Sequence, residues 1–509
     1  MKNMWILLCV FSLLFSSCKQ IIDEILNELH PDDNETKEIA FSKIGAIVLE
    51  ANGESEGAAE ISAYDPKTKQ LFVVNNAGDQ SSIDVVDLSD PTSPTLVKSI
   101  DITPYGAGVN SVAVSKGLLA AAVEAEEATH PGVVVFFDTE DLSEVSNVTV
   151  GALPDMVTFS PNGQFALVAN EGEPNDEYTD DPEGSVSIIQ IHSSFAVTTL
   201  GFEGFNSAEE ALEHDGYRVF GPHANLAEDT EPEYITVSDN SLVAWVSLQE
   251  NNGLARIDLV TKTITGIFPL GFKDYSLAEN AIDASDEDGI IQQSPRPAFG
   301  MYQPDAIEAY KSMGTNYVVT ANEGDARDYD GFSEEERVED LMLDETAFPN
   351  AATLQQEENL GRLEITTTLG DTDGDGAYEE LYSYGARSFS IWDGGTGMQV
   401  YDSGNEIEDI IIAEGLYEDG RSDAKGVEPE GVVIGRIGEH TIAFIGLERV
   451  DAVVVYNVSD PYYPVFLQVL KSGDAPEGLL FIPAKDSPNG KDLFIVSSEG
   501  DGQVIIFEN

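Results

Sequence analysis

LPDMVTFSPNGQFALVANE, Leu153–Glu171, decides how the chain is read. A proline and an acid open it, an apolar run follows, Ser160–Gly163 makes a turn, and a second apolar run stops at Asn170-Glu171. Two apolar runs separated by Pro, Asn and Gly read as a hairpin. The unit recurs as AAEISAYDPKTKQLFVVNN from Ala58, EPEYITVSDNSLVAWVSLQE from Glu231, and QPDAIEAYKSMGTNYVVTANE from Gln303. It returns as EPEGVVIGRIGEHTIAFIGLE from Glu428, APEGLLFIPAKDSPNGKDLFIVSSE from Ala475, and a weaker GVNSVAVSKGLLAAAVEAE from Gly108. Many copies continue into a third strand carrying aspartate near its end, such as SSIDVVDLSDP, GVVVFFDTEDL, SFSIWD and AVVVYNVSDP, and several into a fourth.

Four short strands repeated seven times predict an all-β, seven-bladed β-propeller. The last copy runs out after its third strand at Phe507, and FSKIGAIVLE, Phe41–Glu50, is expected to supply the missing strand. That closure removes an exposed sheet edge and makes residues 40–509 one domain. Insertions interrupt the spacing at residues 202–230, 271–302 and 324–383, the last with a helical pattern in SEEERVEDLML. Long insertions in a compact domain tend to be functional.

The chain has 509 residues, with 93 Asp plus Glu against 25 Lys plus Arg, a formal net charge of -68. Such a surface repels phosphate backbones, so nucleic acid is excluded as a partner. With 42% hydrophobic residues in regularly spaced runs the chain folds, and the charge serves solubility or attracts divalent cations. MKNMWILLCVFSLLFSSC, Met1–Cys18, is a basic start, an apolar run and small residues before cysteine. This is a secretory signal whose ending resembles a bacterial lipobox, which implies a lipoprotein signal over residues 1–17, lipidation of Cys18 and a charged tether over residues 18–39; ordinary signal cleavage leaving a free Cys18 is the alternative. The expected location is outside the cytoplasm, periplasmic or at the cell surface, with membrane contact through the lipid only. Cys9 and Cys18 are the only cysteines, so no disulfide supports the mature fold.

In each hairpin the start of strand one and the end of strand two share one edge of the sheet. Strand one opens with Glu60, Asn110, Asp155, Glu233, Asp305, Glu430 and Glu477. Strand two closes with Asn76, Glu124, Glu171, Glu250, Glu323, Glu448 and Glu499. The propeller gathers these around the mouth of its channel, where like charges need hydrogen bonds, protons or cations. One reading makes them repeat glue, each accepting backbone N–H groups from the next blade. The other is a Ca²⁺ site of carboxylate oxygens, strongest at Glu171, Glu173 and Asp176, and at Glu323 and Asp325, where VANEGEPNDEYTD and VTANEGDARDYDG carry extra acids.

A second calcium candidate is Asp371-Thr-Asp373-Gly-Asp375-Gly376, the opening of an EF-hand-like loop. Tyr382 stands where the bidentate Glu belongs, leaving Glu379 or Glu380 to complete the ligands. Catalytic patterns are absent: no cysteine after Cys18 for thiolate chemistry, no GxSxG elbow, and histidines 130, 192, 214, 223 and 440 without zinc spacing. Arg327 and Arg387 lie among acids and could clamp a phosphate, or pair with those acids.

ANEGEPND, IDASDEDG, GMYQPDAI, ANEGDARDY and GARSFSIWD resemble the choice-of-anchor I family over residues 41–509. That family is similar to the mesenchyme-specific cell-surface glycoproteins of sea-urchin biomineralising cells. The resemblance implies an exported, surface-attached propeller with a link to calcium and mineral; bacterial members are often labelled alkaline phosphatases. The expected function is a calcium-binding surface lipoprotein acting in adhesion or in cation, mineral or glycan interaction. The alternative is a calcium-dependent phosphoesterase in which ring acids hold metal and Arg327 or Arg387 grips the phosphate ester.

Overall fold

The computed structural model describes residues 39–509 apart from residues 51, 52, 54, 79 and 80. The expected signal and Cys18 therefore lie outside the described residues. Seven four-stranded antiparallel sheets form, each following chain order from its first strand outward except at the closure. Their first strands are Ser62–Asp65, Val109–Ser115, Pro154–Phe159, Ile235–Val237, Ile307–Ser312, Pro429–Ile437 and Pro476–Ile482. Each touches the first strand of the next sheet, and the last touches the first, so the sheets close into a ring around a channel of about 690 Å³.

The second strands explain why sequence alternation is weak. In Phe165–Asn170 all but the first residue are buried. Ala166 and Val168 pack with Ala120, Val134 and Phe136 of the preceding sheet, while Leu167 and Ala169 pack with Ile235, Val246 and Ile257 of the following one. A strand with a neighbour on each face is apolar on each face.

Ser42–Val48 closes the ring. It pairs antiparallel with Gln503–Glu508, running from Ser42 opposite Glu508 to Val48 opposite Gln503. Phe41 lies edge-on to Phe444 at 5.2 Å, and Phe444 stacks on Phe494 at 4.1 Å. Because first strands start at the acid-bearing edge, Glu508 and Ser42 stand at the opposite face of the ring.

All three insertions emerge on the acid-bearing face. The first carries the short helices Glu209–His214 and Leu226–Asp229. The second and third share a small sheet, in which Phe272–Asp274 pairs with Phe299–Met301 and that strand with Tyr382–Ser383. The helix expected in SEEERVEDLML does not form. Glu335–Arg337 is instead a strand paired with Glu364–Thr366, and Val338–Asp340 is a 3₁₀ turn. Five acids within Ser333–Leu343 repel one another along a helix, whereas the extended form lets Arg337 reach Glu364 at 2.8 Å and Asp423 at 2.6 Å. A helix at Glu406–Glu414, burying Ile407 and Ile411 and ending on left-handed Gly415, is additional. No helix among the described residues is long and apolar enough to cross a membrane.

Candidate functional site

The strand-one acids enter the channel through a local distortion. Register shifts lie between Pro154 and Val157, Pro429 and Val432, and Pro476 and Gly478. Such bulges re-aim a side chain. The residue before the proline is left-handed in four copies, at Leu153, Gln303, Glu428 and Ala475. Non-glycine residues in that region cost on the order of 1 kcal/mol each and gather where a site needs an unusual backbone.

The result is an inner set of carboxylates backed by an outer set at the strand-two ends. Burial pushes Glu60 up to about 8, with Glu499 adding to it, and Asp155 up to about 7, with Glu173 adding. Burial and then neighbouring acids hold Glu233, Asp305, Glu430 and Glu477 well above the carboxylate range. In the outer set Glu171 is also held well above it, Glu250 rises to about 8 and Glu448 to about 7.

The glue reading fails for part of this ring. Glu233, Glu250, Glu430 and Glu477 each keep a buried carboxylate oxygen with no hydrogen-bond partner. Glu60 does have one, the Asn76 amide at 2.9 Å. Glu171, Glu233 and Glu250 each place an oxygen within 4.8 Å of the other two, as do Asp305, Glu323 and Glu430, and Glu323, Glu428 and Glu448. These triads join neighbouring blades.

Between the fifth and sixth blades basic residues stand directly on the mouth acids. Lys425 Nζ lies 3.2 Å from Glu323, 3.6 Å from Asp325 and 3.5 Å from Glu428. Arg449 reaches Glu428 at 3.2 Å and Glu448 at 2.9 Å, and Arg421 reaches Glu428 at 2.5 Å. Burial pushes Glu428 up, but Lys425, Arg421 and Arg449 outweigh it and hold the carboxyl below its usual range.

Of the residues singled out from sequence, Glu171 enters a triad and Glu323 enters two. Glu173 accepts the Tyr329 hydroxyl at 3.2 Å and Asp325 stands beside Lys425. Asp176 is exposed, and its backbone carbonyl accepts Gly331 N–H at 2.8 Å. The two acidic loops thus clip together, with Tyr178 edge-on to Tyr329 at 5.8 Å, without pooling their extra acids.

Asp371, Asp373 and Glu379 converge, each offering an oxygen within 4.8 Å of the others. Asp371 Oδ1 accepts Gly374 N–H at 2.8 Å, Oδ2 accepts Gly376 N–H at 3.0 Å, and Glu379 accepts Thr372 N–H at 2.8 Å. Asp375 Oδ1 instead caps Ala377 N–H at 2.9 Å.

The two arginines take the second of their readings, pairing inside the protein. Arg327 is 2% exposed, paired with Asp229 at 2.5 Å and Glu231 at 2.7 Å, with its guanidinium 4.4 Å from the Phe220 ring centroid. Arg387 is 1% exposed and donates to the carbonyls of Asp283, Ser422 and Ala424 at 2.7–2.8 Å. Neither guanidinium faces an incoming phosphate. Sequence reading did not single out Glu233 and Glu250 from the ring, and it missed Lys425, whose one signal is a lysine in an otherwise acidic run, SDAKGVEPE.

A family model described as the choice-of-anchor I domain matches residues 60–461, and the chain belongs to that family. It is 28% identical to gigasin-3a of Magallana gigas over 189 residues, 30% of this chain and 66% of that one. It is 27% identical to the mesenchyme-specific cell surface glycoprotein of Strongylocentrotus purpuratus over 335 residues, 55% of this chain and 43% of that one. The matches thus span less than two thirds of either relative. Similar solved structures include Kuenenia stuttgartiensis hydrazine synthase, with TM-score 0.49 and 11% identity over 91% of this chain and 97% of that one. The WD40 domain of Toxoplasma gondii coronin gives TM-score 0.45 and 8% identity over 92% and 87%.

Proposed function

We propose that this choice-of-anchor I protein is an exported, surface-attached scaffold that binds divalent cations, calcium foremost, on the acid-lined face of its propeller. The cell-surface relative supports the location, and lipidation at Cys18 would supply the attachment. The observation carrying the function is the set of buried carboxylate oxygens at the mouth that no donor satisfies. An uncompensated carboxylate in such a place takes a proton or a cation, and an all-oxygen donor set suits a hard ion. The Asp371 loop offers a second, exposed position. A loaded face would present cations to an anionic glycan or mineral surface.

The test is calorimetric titration of the chelator-treated full chain with calcium chloride, alongside thermal unfolding. Saturable binding with a rise in melting temperature is expected; no binding at millimolar calcium would end the reading. Nothing in the site favours the phosphoesterase, because both arginines are consumed inside the protein. A generic phosphate ester incubated with the calcium-loaded protein is expected to remain intact.

A further inference from the structure

We propose that the mouth takes its cation at Glu171–Glu233–Glu250, and that across the ring Lys425 is a built-in cation neutralising Glu323, the counterpart of Glu171. This rests on the cation-binding reading above and assigns it to particular residues.

The repeat supplies the comparison. By position in the repeat, each junction between blades sets the strand-two residue of one blade against the strand-one and strand-two residues of the next. Between the third and fourth blades these are Glu171, Glu233 and Glu250; between the fifth and sixth they are Glu323, Glu430 and Glu448. The full set converges at the third-to-fourth junction, whereas at the fifth-to-sixth Glu323 meets Asp305 and Glu430 in one group and Glu428 and Glu448 in another. At the second junction the chain entering the sixth blade carries Lys425, whose ammonium lies 3.2 Å from Glu323, with Arg449 on Glu448. Between the seventh and first blades an amide is substituted, and Asn76 donates to Glu60.

At the third-to-fourth junction neither an ammonium nor a side-chain amide among the described residues is bonded to the triad. The three carboxylates converge within 4.8 Å, Glu171 is 8% exposed and Glu250 6% exposed, and Oε2 of both Glu233 and Glu250 has no partner. The nearest guanidinium, Arg327, is committed to Asp229 and Glu231. Three carboxylates, with an oxygen of two of them left unpartnered, make a pocket of negative charge that a divalent ion nearly neutralises. Carboxylate oxygens alone, completed by channel water, favour calcium, which tolerates irregular geometry and six to eight ligands, over magnesium, which demands an octahedron.

The experiment is calcium chloride titration, by calorimetry, of the full chain and of Glu171→Gln, Glu250→Gln and Lys425→Met. Each variant is first shown to unfold cooperatively in chelator. The expected result is that either glutamine variant weakens the tightest step at least tenfold, and that Lys425→Met gains one equivalent of bound calcium. Wild-type binding that survives unchanged in both glutamine variants would overturn the assignment while leaving the cation-binding function standing. Absence of binding in the wild type would remove both. An unchanged stoichiometry in Lys425→Met, a variant that does not depend on the glutamine variants folding, would overturn the role given to Lys425.

Discussion

Replacing Glu60 by glutamine should stabilise the chelator-treated protein at neutral pH and do nothing at pH 4.5. Glu60 faces the channel with Asn76 as its hydrogen-bond donor, and burial with Glu499 nearby raises it from 4.5 to about 8. A carboxyl raised in the folded state contributes its stability below the unfolded pKa and loses it as pH climbs towards the folded value. At about 1.4 kcal/mol per pH unit, the formal loss between pH 4.5 and 7.5 is about 4 kcal/mol. Glu60 shares the mouth with Glu477 and Glu499, so redistribution of protons leaves on the order of 2 kcal/mol attributable to this one group. Glutamine is already neutral and still accepts from Asn76, so it escapes that loss. The assay is urea unfolding of wild type and Glu60→Gln from pH 4.5 to 8, in chelator, at low and high salt. Surface repulsion from the net charge is screened by salt, whereas the buried contribution persists. Parallel pH profiles for the two proteins, or a variant weaker at every pH, would refute the raised pKa and with it the uncompensated ring.

Other substitutions probe the parts around the mouth. Arg327→Met strands Asp229 and Glu231 in the interior and should cost about 3–5 kcal/mol, read as a lower urea midpoint. Asp371→Asn with Asp373→Asn should remove a terbium-luminescent site while changing the unfolding free energy from urea titration by less than about 0.5 kcal/mol, because that loop is exposed. Deleting the segment through Leu49 should uncover the edge of Gln503–Glu508 and the Phe444–Phe494 pair, giving a lower melting temperature and self-association detectable by light scattering.

The propeller was legible because its signal is local and repeated. Each hairpin carries its own turn, and the closing strand Phe41–Glu50 is exposed by the shortfall in the last copy. The mouth was legible as a ring but not as triads. Glu171 lies 62 residues from Glu233 in sequence and meets it only because two blades abut, which no spacing within one repeat encodes. Attention to the acid-rich continuations, Glu173 and Asp176, followed charge density rather than convergence. Arg327 and Arg387 were ambiguous for a related reason. An arginine among acids reads alike whether it faces solvent or closes an inner layer, and only packing of the insertions over the mouth distinguishes the two. The failed helix at Ser333–Leu343 shows pairing with a distant strand overriding local propensity.

The closing strand also has a mechanical consequence. Ser42 lies at the face opposite the acid mouth, so a chain held through the residues before Ile39 turns that mouth away from its support. A pull between a partner gripping the mouth and that support draws Ser42–Val48 along its own axis, past Gln503–Glu508. The ladder from Ser42–Glu508 to Val48–Gln503 is then strained in shear, its hydrogen bonds sharing the force together rather than parting one after another. Were the proposed attachment and cation-bridged partner in place, the seam that completes the ring would carry the tension between them in shear.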